Sequence, residues 1–425
     1  MLSKSLYNVF LFLYSCGIRI AAIANPKAKK WLNGRKDIFA TINSKLSAGS
    51  FGKTQDPKLV WMHCASLGEF EQGRLLLEES KMQYPNQKIV LTFFSPSGYE
   101  VMKDYKGADH VFYLPMDSKE NAKRFVDALN PSLVLWVKYE YWFYYLTEIK
   151  QRNIPTILVS GIFRKNQPFF KWYGAIWKQM LGSFTHFFVQ NEESQQLLAT
   201  LDFTKNITMN GDTRFDRVLE IAANFTSVAV IEKFCGDSPV IVAGSTWEED
   251  EIELLHFVNV NKQVKFIIAP HEIDKTNLKD VKEEFPDSIF YSELENKHSS
   301  TANVLIIDNM GMLSRLYKYA TVTYVGGGYG ADGVHNVLEA AVYGKPVVFG
   351  PVYEKFYEAI GLVNSGGAIS IDGGPVKLET VLNELLHDEA ERKRRGEAAV
   401  QFVQDNAGAS KKIMQFIQEK RLLTS

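Results

Sequence analysis

The sequence predicts an α/β protein of two doubly wound, Rossmann-like domains that face each other across a cleft. From residue 58 onward, short apolar runs such as KLVWMHCA and KIVLTFF alternate with longer amphipathic stretches. Strands spaced by helices in this way are typical of βαβ units and of a parallel sheet. The alternation pauses near residues 216–237 and resumes with PVIVAGST and KFIIAP, which indicates a second domain. Because ligands of open α/β sheets bind beyond the carboxyl ends of the strands, we expect the site in the cleft.

Length and composition agree with this organisation. The chain has 425 residues, of which 46% are hydrophobic and 23% charged, close to the balance of ordinary globular proteins. The predicted parts are a membrane-anchoring segment at 1–36, a first domain at 37–215, a linker at 216–237, and a second domain at 238–425 that includes the last helix.

The N-terminal segment is basic and apolar. Residues 1–36 contain seven lysines and arginines and no acidic residue, and residues 6–25 are apolar apart from a few positions such as Arg19. A helix lying in the membrane interface and attracted to an anionic lipid surface fits this pattern best. A transmembrane helix and a buried first helix are the alternatives. The basic flank would keep the remainder of the chain on the cytoplasmic side, and we expect the core to fold without this segment.

Charge and cysteine content exclude several classes of protein. The net charge of −1 gives no reason to expect nucleic acid binding. Cys16, Cys64 and Cys235 are scattered and odd in number, which argues against a disulfide scaffold or a structural zinc site. Neither an HExxH motif nor a DxD motif at a strand end is present. We therefore expect metal-independent chemistry and no cofactor.

The first candidate motif, ASLGEFEQ at residues 65–72, follows a predicted strand. Ser66 and Gly68 permit a tight loop, and Glu69 falls in the first turn of the next helix. One interpretation of Glu69 is a carboxylate that caps the helix. The other is a general base that removes a proton from an acceptor hydroxyl.

The second motif, VAGSTWEED at residues 242–250, runs from a strand into an acidic helix start. Gly244, Ser245 and Thr246 could offer backbone N–H groups and hydroxyls to a phosphate at that helix start. An ordinary βα turn with a Ser or Thr cap explains the same pattern equally well.

The third motif is the glycine-rich stretch at residues 324–351. Three consecutive glycines end a strand and allow a close approach of the backbone to a ligand. A helix is predicted to begin near His335 and Asn336, and Glu339, one turn further, is expected to reach a ribose hydroxyl. A glycine-rich turn with a buried histidine is the alternative. The candidate ligand contacts are Gly327, Gly328, Gly333, His335, Asn336 and Glu339.

Two further candidates lie at other strand ends. In WVKYEYWFYY at residues 136–145, Lys138 and Glu140 are predicted to share one face of an extended run, either as site residues or as a structural ion pair. His271 ends another predicted strand of the second domain, a position where a lone histidine is more often structural.

In order along the chain, these motifs resemble those of the 3-deoxy-D-manno-octulosonic acid (Kdo) transferases of lipopolysaccharide synthesis. The resemblance covers nearly the whole chain. Its motifs are HxxSxGE at His63–Glu69, PxD at Pro115–Asp117, ExW at Glu140–Trp142, AGST at Ala243–Thr246, HNxLExA at His335–Ala341, and a final Gly350-Pro351 with Phe356 nearby.

The resemblance implies a GT-B fold and an inverting transfer of Kdo from CMP-Kdo to the lipid A precursor lipid IVA. It places the reaction at the cytoplasmic face of the bacterial inner membrane. By the same resemblance, Glu69 is the catalytic base and Glu140 a second acid near the acceptor. The nucleotide-binding loops fall on 244–246 and 327–339.

The sequence departs from the family pattern at several site positions. Pro270 stands where the family usually has an arginine, Lys138 replaces an acid, and Trp247 replaces a histidine. Arginine matches phosphate and carboxylate groups bidentately, so Arg164 and Arg214 are alternative cations. The expected acceptor contacts are Ser66, Gly68, Lys138, Glu140 and Arg164, and the expected donor contacts outside the glycine-rich stretch are Gly244, Ser245, Thr246, Arg214 and His271.

Two other functions fit the same residues. One is another GT-B enzyme that uses a UDP-sugar, either a transferase or an epimerase. The other is a membrane-bound module that binds a nucleotide or a lipid without chemistry, against which the pairing of Glu69 with a glycine loop argues.

Overall fold

The computed structural model describes residues 2–47, 58–294 and 301–423 and divides the chain into two compact units. The first unit comprises Met1–Arg217 and Ala407–Ser425, and the second comprises Val218–Asn406. Each unit is an α/β unit with a parallel sheet, as the sequence predicts.

The first unit is built on a parallel sheet that, within the described residues, has seven strands in the order β3-β2-β1-β4-β5-β6-β7. The strands are β1 (Leu59–Cys64), β2 (Lys88–Phe93), β3 (His110–Tyr113), β4 (Leu133–Val137), β5 (Thr156–Gly161), β6 (His186–Val189) and β7 (Ile207–Met209). The helices are α1 (Leu2–Ala21), α2 (Pro26–Asn33), α3 (Ile38–Ser47), α4 (Leu67–Gln83), α5 (Pro96–Met102), α6 (Lys119–Leu129), α7 (Phe143–Gln151), α8 (Ala175–Leu181) and α9 (Glu192–Ala199).

The second unit repeats this architecture, and its described part contains a seven-stranded parallel sheet of order β10-β11-β9-β8-β12-β13-β14. The strands are β8 (Val240–Thr246), β9 (Lys265–Pro270), β10 (Ile289–Phe290), β11 (Val304–Ile306), β12 (Val322–Val325), β13 (Val347–Phe349) and β14 (Ala368–Ser370). The helices are α10 (Thr213–Ala223), which begins in the first unit, α11 (Ala229–Cys235), α12 (Glu248–Val260), α13 (Lys275–Glu284), α14 (Tyr291–Leu294), α15 (Leu313–Leu316), α16 (Leu338–Ala341), α17 (Tyr357–Asn364), α18 (Gly374–His387) and α19 (Glu389–Asp405).

The candidate residues lie where the strand order of each sheet reverses. In the first unit β1 pairs with β2 on one side and with β4 on the other, and the motifs with Glu69 and Glu140 follow β1 and β4. In the second unit β8 lies between β9 and β12, and the two glycine-containing motifs follow β8 and β12. Reversal points of this kind open a crevice at the carboxyl edge of a sheet, where ligands bind.

The last helix, α20 (Ala409–Glu419), corrects the predicted domain boundaries, because it belongs to the first unit and not to the second. Ile413, Met414 and Ile417 are buried in the apolar cluster beside β1 and α4. Asp216 holds the start of the helix, since its carboxylate accepts hydrogen bonds from the backbone N–H groups of Gly408 and Ser410. The predicted linker at 216–237 is mostly helical, as α10 and α11.

The N-terminal segment is also part of the first unit. Tyr7 and Trp31 are buried in its core, and the Tyr7 hydroxyl donates a 2.7 Å hydrogen bond to Asp117 Oδ2. The Arg35 guanidinium donates to the carbonyl oxygens of Leu114 and Phe94. The expectation that the core folds without residues 1–36 is therefore not supported by these contacts. Among the described helices, none has the length and apolarity needed to cross a membrane.

Candidate active site

Glu69 lies in the first turn of α4, and its carboxylate turns back toward the end of β1. Glu69 Oε2 accepts a 2.5 Å hydrogen bond from the backbone N–H of Ala65, and Oε1 accepts one of 3.3 Å from the N–H of Tyr139. The side chain is only 7% exposed. The N-cap residue Ser66 makes no side-chain capping bond. Glu69 thus binds backbone N–H groups at the ends of two adjacent strands. It therefore has a structural role, as the capping interpretation expects, and it also lies at a position suited to catalysis.

The environment of Glu69 tunes its acidity. Burial raises the pKa of Glu69 to about 7, and the nearby Glu140 acts in the same direction. The two backbone hydrogen bonds and the charge of Lys138 oppose this increase in the pKa. A carboxylate with a pKa near neutrality can accept a proton at physiological pH more effectively than one with an ordinary pKa.

Glu140 is held at the end of β4 by aromatic and histidine side chains. His63 Nε2 lies 3.1 Å from Glu140 Oε2, and Trp142 Nε1 donates a 3.1 Å hydrogen bond to the same oxygen. The buried His63 is itself positioned by Thr92, whose Oγ1 lies 3.0 Å from Nδ1. The sequence analysis did not place His63 in the site, although it is the first residue of the motif that ends at Glu69.

The predicted pairing of Lys138 with Glu140 on one extended face is wrong. Lys138 has a φ of +60° in a turn, so the run does not continue as a strand and the alternation of faces is lost. Lys138 lies instead near Gln72. When the Gln72 amide is oriented to satisfy its neighbours, its oxygen accepts hydrogen bonds from Lys138 Nζ at 3.0 Å and from Arg214 Nε at 3.2 Å.

Arg214 lies in the first unit, although the sequence analysis assigned it to the donor side. It lies in the first turn of α10, and its guanidinium donates to Asp212 Oδ2 at distances of 2.8 and 2.9 Å. Burial would raise the pKa of Asp212, but Arg214 and Lys138 together hold it below its usual value. Arg164 is exposed on the segment after β5, with its guanidinium 6.0 Å from the centre of the Tyr139 ring. Of these three cations, Lys138 acts directly on Glu69, since its charge lowers the pKa of that carboxyl.

The structure does not show the expected need for glycine at position 68 in a tight loop. It is exposed, its φ is not positive, and a Cβ added there would meet no described atom within 4 Å. The backbone at this position therefore does not require glycine.

In the second unit, the glycine loop after β12 is held by Asp250, which the sequence analysis did not single out. Asp250 Oδ2 accepts hydrogen bonds from the N–H groups of Gly327 (2.8 Å) and Trp247 (3.0 Å), and Oδ1 accepts from the Tyr324 hydroxyl (2.7 Å). The carboxylate thereby joins the motif after β8 to the loop after β12. The sequence signal that could have identified Asp250 is its position in the acidic run after Thr246, three residues after the N-cap residue of α12.

The start of α12 is poorly suited to an anion. Four acidic residues occupy its first turn, and negative charge there opposes phosphate binding. Thr246 Oγ1 donates a 2.7 Å hydrogen bond to Glu251, and burial raises the pKa of that carboxyl to about 7. Gly244 is buried against Tyr317, and Ser245 has a φ of +54°. The strand end at 244–246 is therefore shaped mainly by contacts within the protein.

Steric constraints act on the glycines of the loop after β12. Gly327 and Gly333 have φ values of +88° and +87°, which favour glycine strongly. A Cβ on Gly328 would lie 2.5 Å from the backbone nitrogen of Gly350. The loop therefore depends on glycine at these three positions.

Three aromatic rings stack beside this loop. The ring centroids of His271 and His335 are 4.3 Å apart, and those of Trp247 and His271 are 4.7 Å apart. Trp247 Nε1 donates a 2.8 Å hydrogen bond to His335 Nε2. Burial and the neighbouring His271 lower the pKa of His335 to about 4, so His335 is neutral at physiological pH. The structure thus brings together three residues from three separate motifs, including the departure from the family at Trp247.

The predicted helix after the glycine loop is shorter than expected. It begins at Leu338, not near His335 and Asn336, and has only four residues. Asn336 Nδ2 donates a 3.0 Å hydrogen bond to Glu339 Oε1, so these two candidates bind each other. The helix start therefore differs from the predicted one, and a four-residue helix has little dipole to attract an anion. Among the described residues, no group of three or more His, Cys, Asp or Glu is arranged to hold a metal ion.

The sequence of this chain is similar to those of known glycosyltransferases. Residues 40–217 match the family model described as 3-deoxy-D-manno-octulosonic-acid transferase (kdotransferase). The chain is 26% identical over 423 residues to the 3-deoxy-D-manno-octulosonic acid transferase of Haemophilus influenzae, covering 95% of each chain. It is 28% identical over 395 residues to a bifunctional glycosyltransferase/methyltransferase of Fusobacterium nucleatum, covering 90% of this chain but only 58% of that protein.

The fold is shared with solved structures of low sequence identity. A putative UDP-N-acetylglucosamine 2-epimerase from Listeria monocytogenes aligns with a TM-score of 0.61 at 14% identity, covering 87% of this chain and 98% of that one. Its two-domain fold is that of the GT-B enzymes and their epimerase relatives.

Together, the fold and the relatives define the chain as a glycosyltransferase. Within that class, the family-model match of residues 40–217 and the Kdo transferase relatives support a Kdo transferase, as the order of its motifs predicts.

Proposed function

We propose that the protein transfers Kdo, with inversion, from CMP-Kdo to a lipid A precursor such as lipid IVA in lipopolysaccharide synthesis. The observation that carries this proposal is the position of Glu69. Its carboxylate accepts two backbone hydrogen bonds at the reversal point of the first sheet, and burial raises its pKa to about 7. A transfer with inversion requires one base of this kind at the acceptor hydroxyl.

In the proposed reaction, Glu69 removes the proton from a glucosamine hydroxyl of the acceptor. That oxygen forms a bond to the anomeric carbon of Kdo, while the bond between this carbon and the phosphate oxygen of CMP breaks. CMP leaves as an anion that needs no proton, so the reaction requires no acid and no metal ion. Glu140, held by His63 and Trp142, would orient the acceptor. The phosphates of the acceptor would be bound by the positive charges of Lys138, Arg164 and Arg214.

We assign the donor to the second unit, with the loop after β12 as its main contact. Gly327 and Gly328 are buried, and their lack of side chains lets the loop pack closely against Gly333 and Gly350, so the more accessible part of the loop is 329–332. The ring stack of Trp247, His271 and His335 lies beside the loop and offers a flat aromatic surface. The strand end at 244–246 would contribute its backbone, since the Thr246 hydroxyl is already engaged.

Incubation of the purified protein with CMP-Kdo and a tetraacylated lipid A precursor tests the proposal. The mass of the lipid is expected to increase by one or more Kdo residues. A parallel reaction with a UDP-sugar should leave the lipid unchanged, and CMP should compete with donor binding while UDP should not. Transfer from the UDP-sugar alone, or competition by UDP alone, would favour the alternative GT-B activity.

We further propose that α1 and α2 lie in the interface of the cytoplasmic membrane leaflet. Exposed apolar side chains, such as the 86% exposed Ile23, and the exposed Lys27, Lys29 and Lys30 support this assignment. The protein is expected to sediment with vesicles that contain phosphatidylglycerol and less with vesicles of phosphatidylcholine alone. Added salt should weaken the first interaction, because screening reduces the attraction of lysines to anionic lipid. Equal binding to both kinds of vesicle would contradict the electrostatic part of the proposal.

A further inference from the structure

The first unit contains an apolar groove of about 640 Å³ between α1, the turn after β4 and the segment 167–177. Leu6 and Phe10 contribute one wall, and Trp142 and Trp177 are among the aromatic residues that contribute the others. Apart from Glu140 and Gln167, the lining consists of aromatic, aliphatic and proline side chains. A cavity of this size and character is suited to a flexible apolar group.

The groove begins at the proposed reaction site. The backbone N–H of Tyr139 donates to Glu69, and the side chains of Tyr139 and Glu140 line the groove. A molecule that occupies the groove can therefore contact Glu140, which is adjacent in the chain to the residue whose N–H binds Glu69. This position connects an apolar site directly to the carboxylates.

The surroundings of the groove combine apolar exposure with positive charge. Trp172, beside the groove residue Tyr173, is 95% exposed, which is unusual for a large aromatic side chain. The segment that forms this wall also carries the exposed cations Arg164, Lys165 and Lys171. An occupant with an apolar chain and anionic groups matches both features, whereas a second copy of this chain would need a complementary acidic surface.

We infer that this groove holds an acyl chain of the acceptor glycolipid while the sugar lies against Glu140 and Glu69. The inference rests on the proposed function and extends it, because it assigns recognition of the acceptor to its acyl chain as well as to its sugar and phosphates. Burial of each methylene of the chain favours binding, so removal of the apolar contacts should weaken it strongly.

Two substitutions on α1 form a matched pair for the test. Leu6 and Leu13 are both 61% exposed, but only Leu6 lines the groove. They are seven residues apart, so they lie on nearly the same helix face, about 10 Å from each other along the axis. Leu6→Glu places a carboxylate in the groove, and Leu13→Glu places the same charge outside it. Neither change removes a buried side chain, so both variants are expected to fold.

The first measurement is the KM for the tetraacylated acceptor and for the same acceptor after removal of its acyl chains. The ratio of the second KM to the first should fall about tenfold or more in Leu6→Glu, because the contribution of buried methylenes is lost. The ratio should be unchanged in Leu13→Glu. An equal change of the ratio in both variants would show that α1 acts only as a membrane contact, and no change in either would refute the acyl-chain site.

The second measurement does not depend on transfer. Binding of a lysophosphatidylcholine with a pyrene-labelled acyl chain, below its micelle concentration, is followed by fluorescence. Wild-type protein and Leu13→Glu should bind the probe about equally, and Leu6→Glu about tenfold more weakly, for the same loss of methylene burial. If this difference is found but no Kdo is transferred, the groove is an acyl-chain site and the proposed reaction is wrong. If all three proteins bind the probe equally, or none binds it, the inference about the groove is refuted.

Discussion

Replacement of Glu69 by glutamine is expected to lower kcat for Kdo transfer by about 10²–10⁴-fold, the usual contribution of a general base. Glutamine keeps one oxygen, which can accept from the backbone N–H of either Ala65 or Tyr139, but it cannot accept the proton. In the wild-type protein, kcat/KM should fall as the pH decreases through about 7, where the carboxylate becomes protonated. The measurement is a pH profile of transfer for both proteins.

The substitution that lowers kcat should increase the stability of the folded protein at alkaline pH. Because burial raises the pKa of Glu69 from 4.5 to about 7, the folded state favours the protonated form. The stability that this preference contributes is complete below pH 4.5 and is lost as the pH rises through about 7. Glu69→Gln, which carries no charge at any pH, should therefore raise the free energy of unfolding at pH 8 by on the order of 1–3 kcal/mol and change it little at pH 4.

Glu71→Gln is the matched control for both measurements. Glu71 is on the same helix, half-buried, and forms ion pairs with Arg74 and Arg217. Its replacement should leave kcat nearly unchanged and should lower stability slightly, since partly exposed ion pairs contribute about 0–1 kcal/mol. A Glu69→Gln protein with wild-type kcat would exclude Glu69 as the base. A loss of stability at pH 8 like that of Glu71→Gln would contradict the raised pKa of Glu69.

Deletion of residues 1–36 is expected to destabilise the first unit and not merely to release the protein from membranes. The deletion exposes the core surface that Tyr7, Leu11 and Trp31 cover, and each such side chain contributes about 1.5–3 kcal/mol by burial. It also removes the Arg35 hydrogen bonds to the ends of two strands. Urea unfolding in detergent-free buffer should show a loss of about 5 kcal/mol or more, summed from these burial values, or no cooperative transition in the first unit.

Removal of the Tyr7 hydroxyl alone tests the contact between the N-terminal segment and the core without a deletion. The Tyr7 hydroxyl donates to Asp117 and accepts from the N–H of Phe143, so Tyr7→Phe leaves both buried groups short of a partner. We expect a loss of about 1–3 kcal/mol in the free energy of unfolding. Tyr14→Phe, on the same helix, keeps the ring packing against Trp31 and Phe94 and serves as the control. Equal losses in both variants would show that the hydroxyl of Tyr7 has no special role.

The sequence predicted those features that depend on local pattern. The two parallel sheets follow from apolar runs spaced by helices, and the positions of Glu69, Glu140 and the glycine loop follow from strands that end in polar or glycine residues. Because carboxyl ends of parallel strands share one edge, motifs far apart in the chain could be expected at the same edge of a sheet. The left-handed turn at Lys138 broke the local alternation and could not be read from residue types.

The features that the sequence did not predict depend on distant partners. Tyr7 meets Asp117 at a separation of 110 residues, and Gly408 meets Asp216 at a separation of 192. Periodicity reveals an apolar face but not what covers it, so the sequence did not predict the contacts of the N-terminal helix with the core or the return of the last helix to the first unit. Asp250 was overlooked for a similar reason, because its partner Gly327 is 77 residues away.

The return of the chain to the first unit has a consequence for biosynthesis. Residues 218–406 interrupt the first unit, whose last helix follows them. As the polypeptide leaves the ribosome, the interrupting unit can fold as soon as it emerges, but the surrounding unit lacks the side chains of Ile413, Met414 and Ile417 until α20 has emerged. A nascent chain stalled near residue 406 would expose an uncovered apolar surface beside β1 and α4 to chaperones. The first unit is therefore completed after the second unit, although synthesis of its sheet precedes that of the second unit.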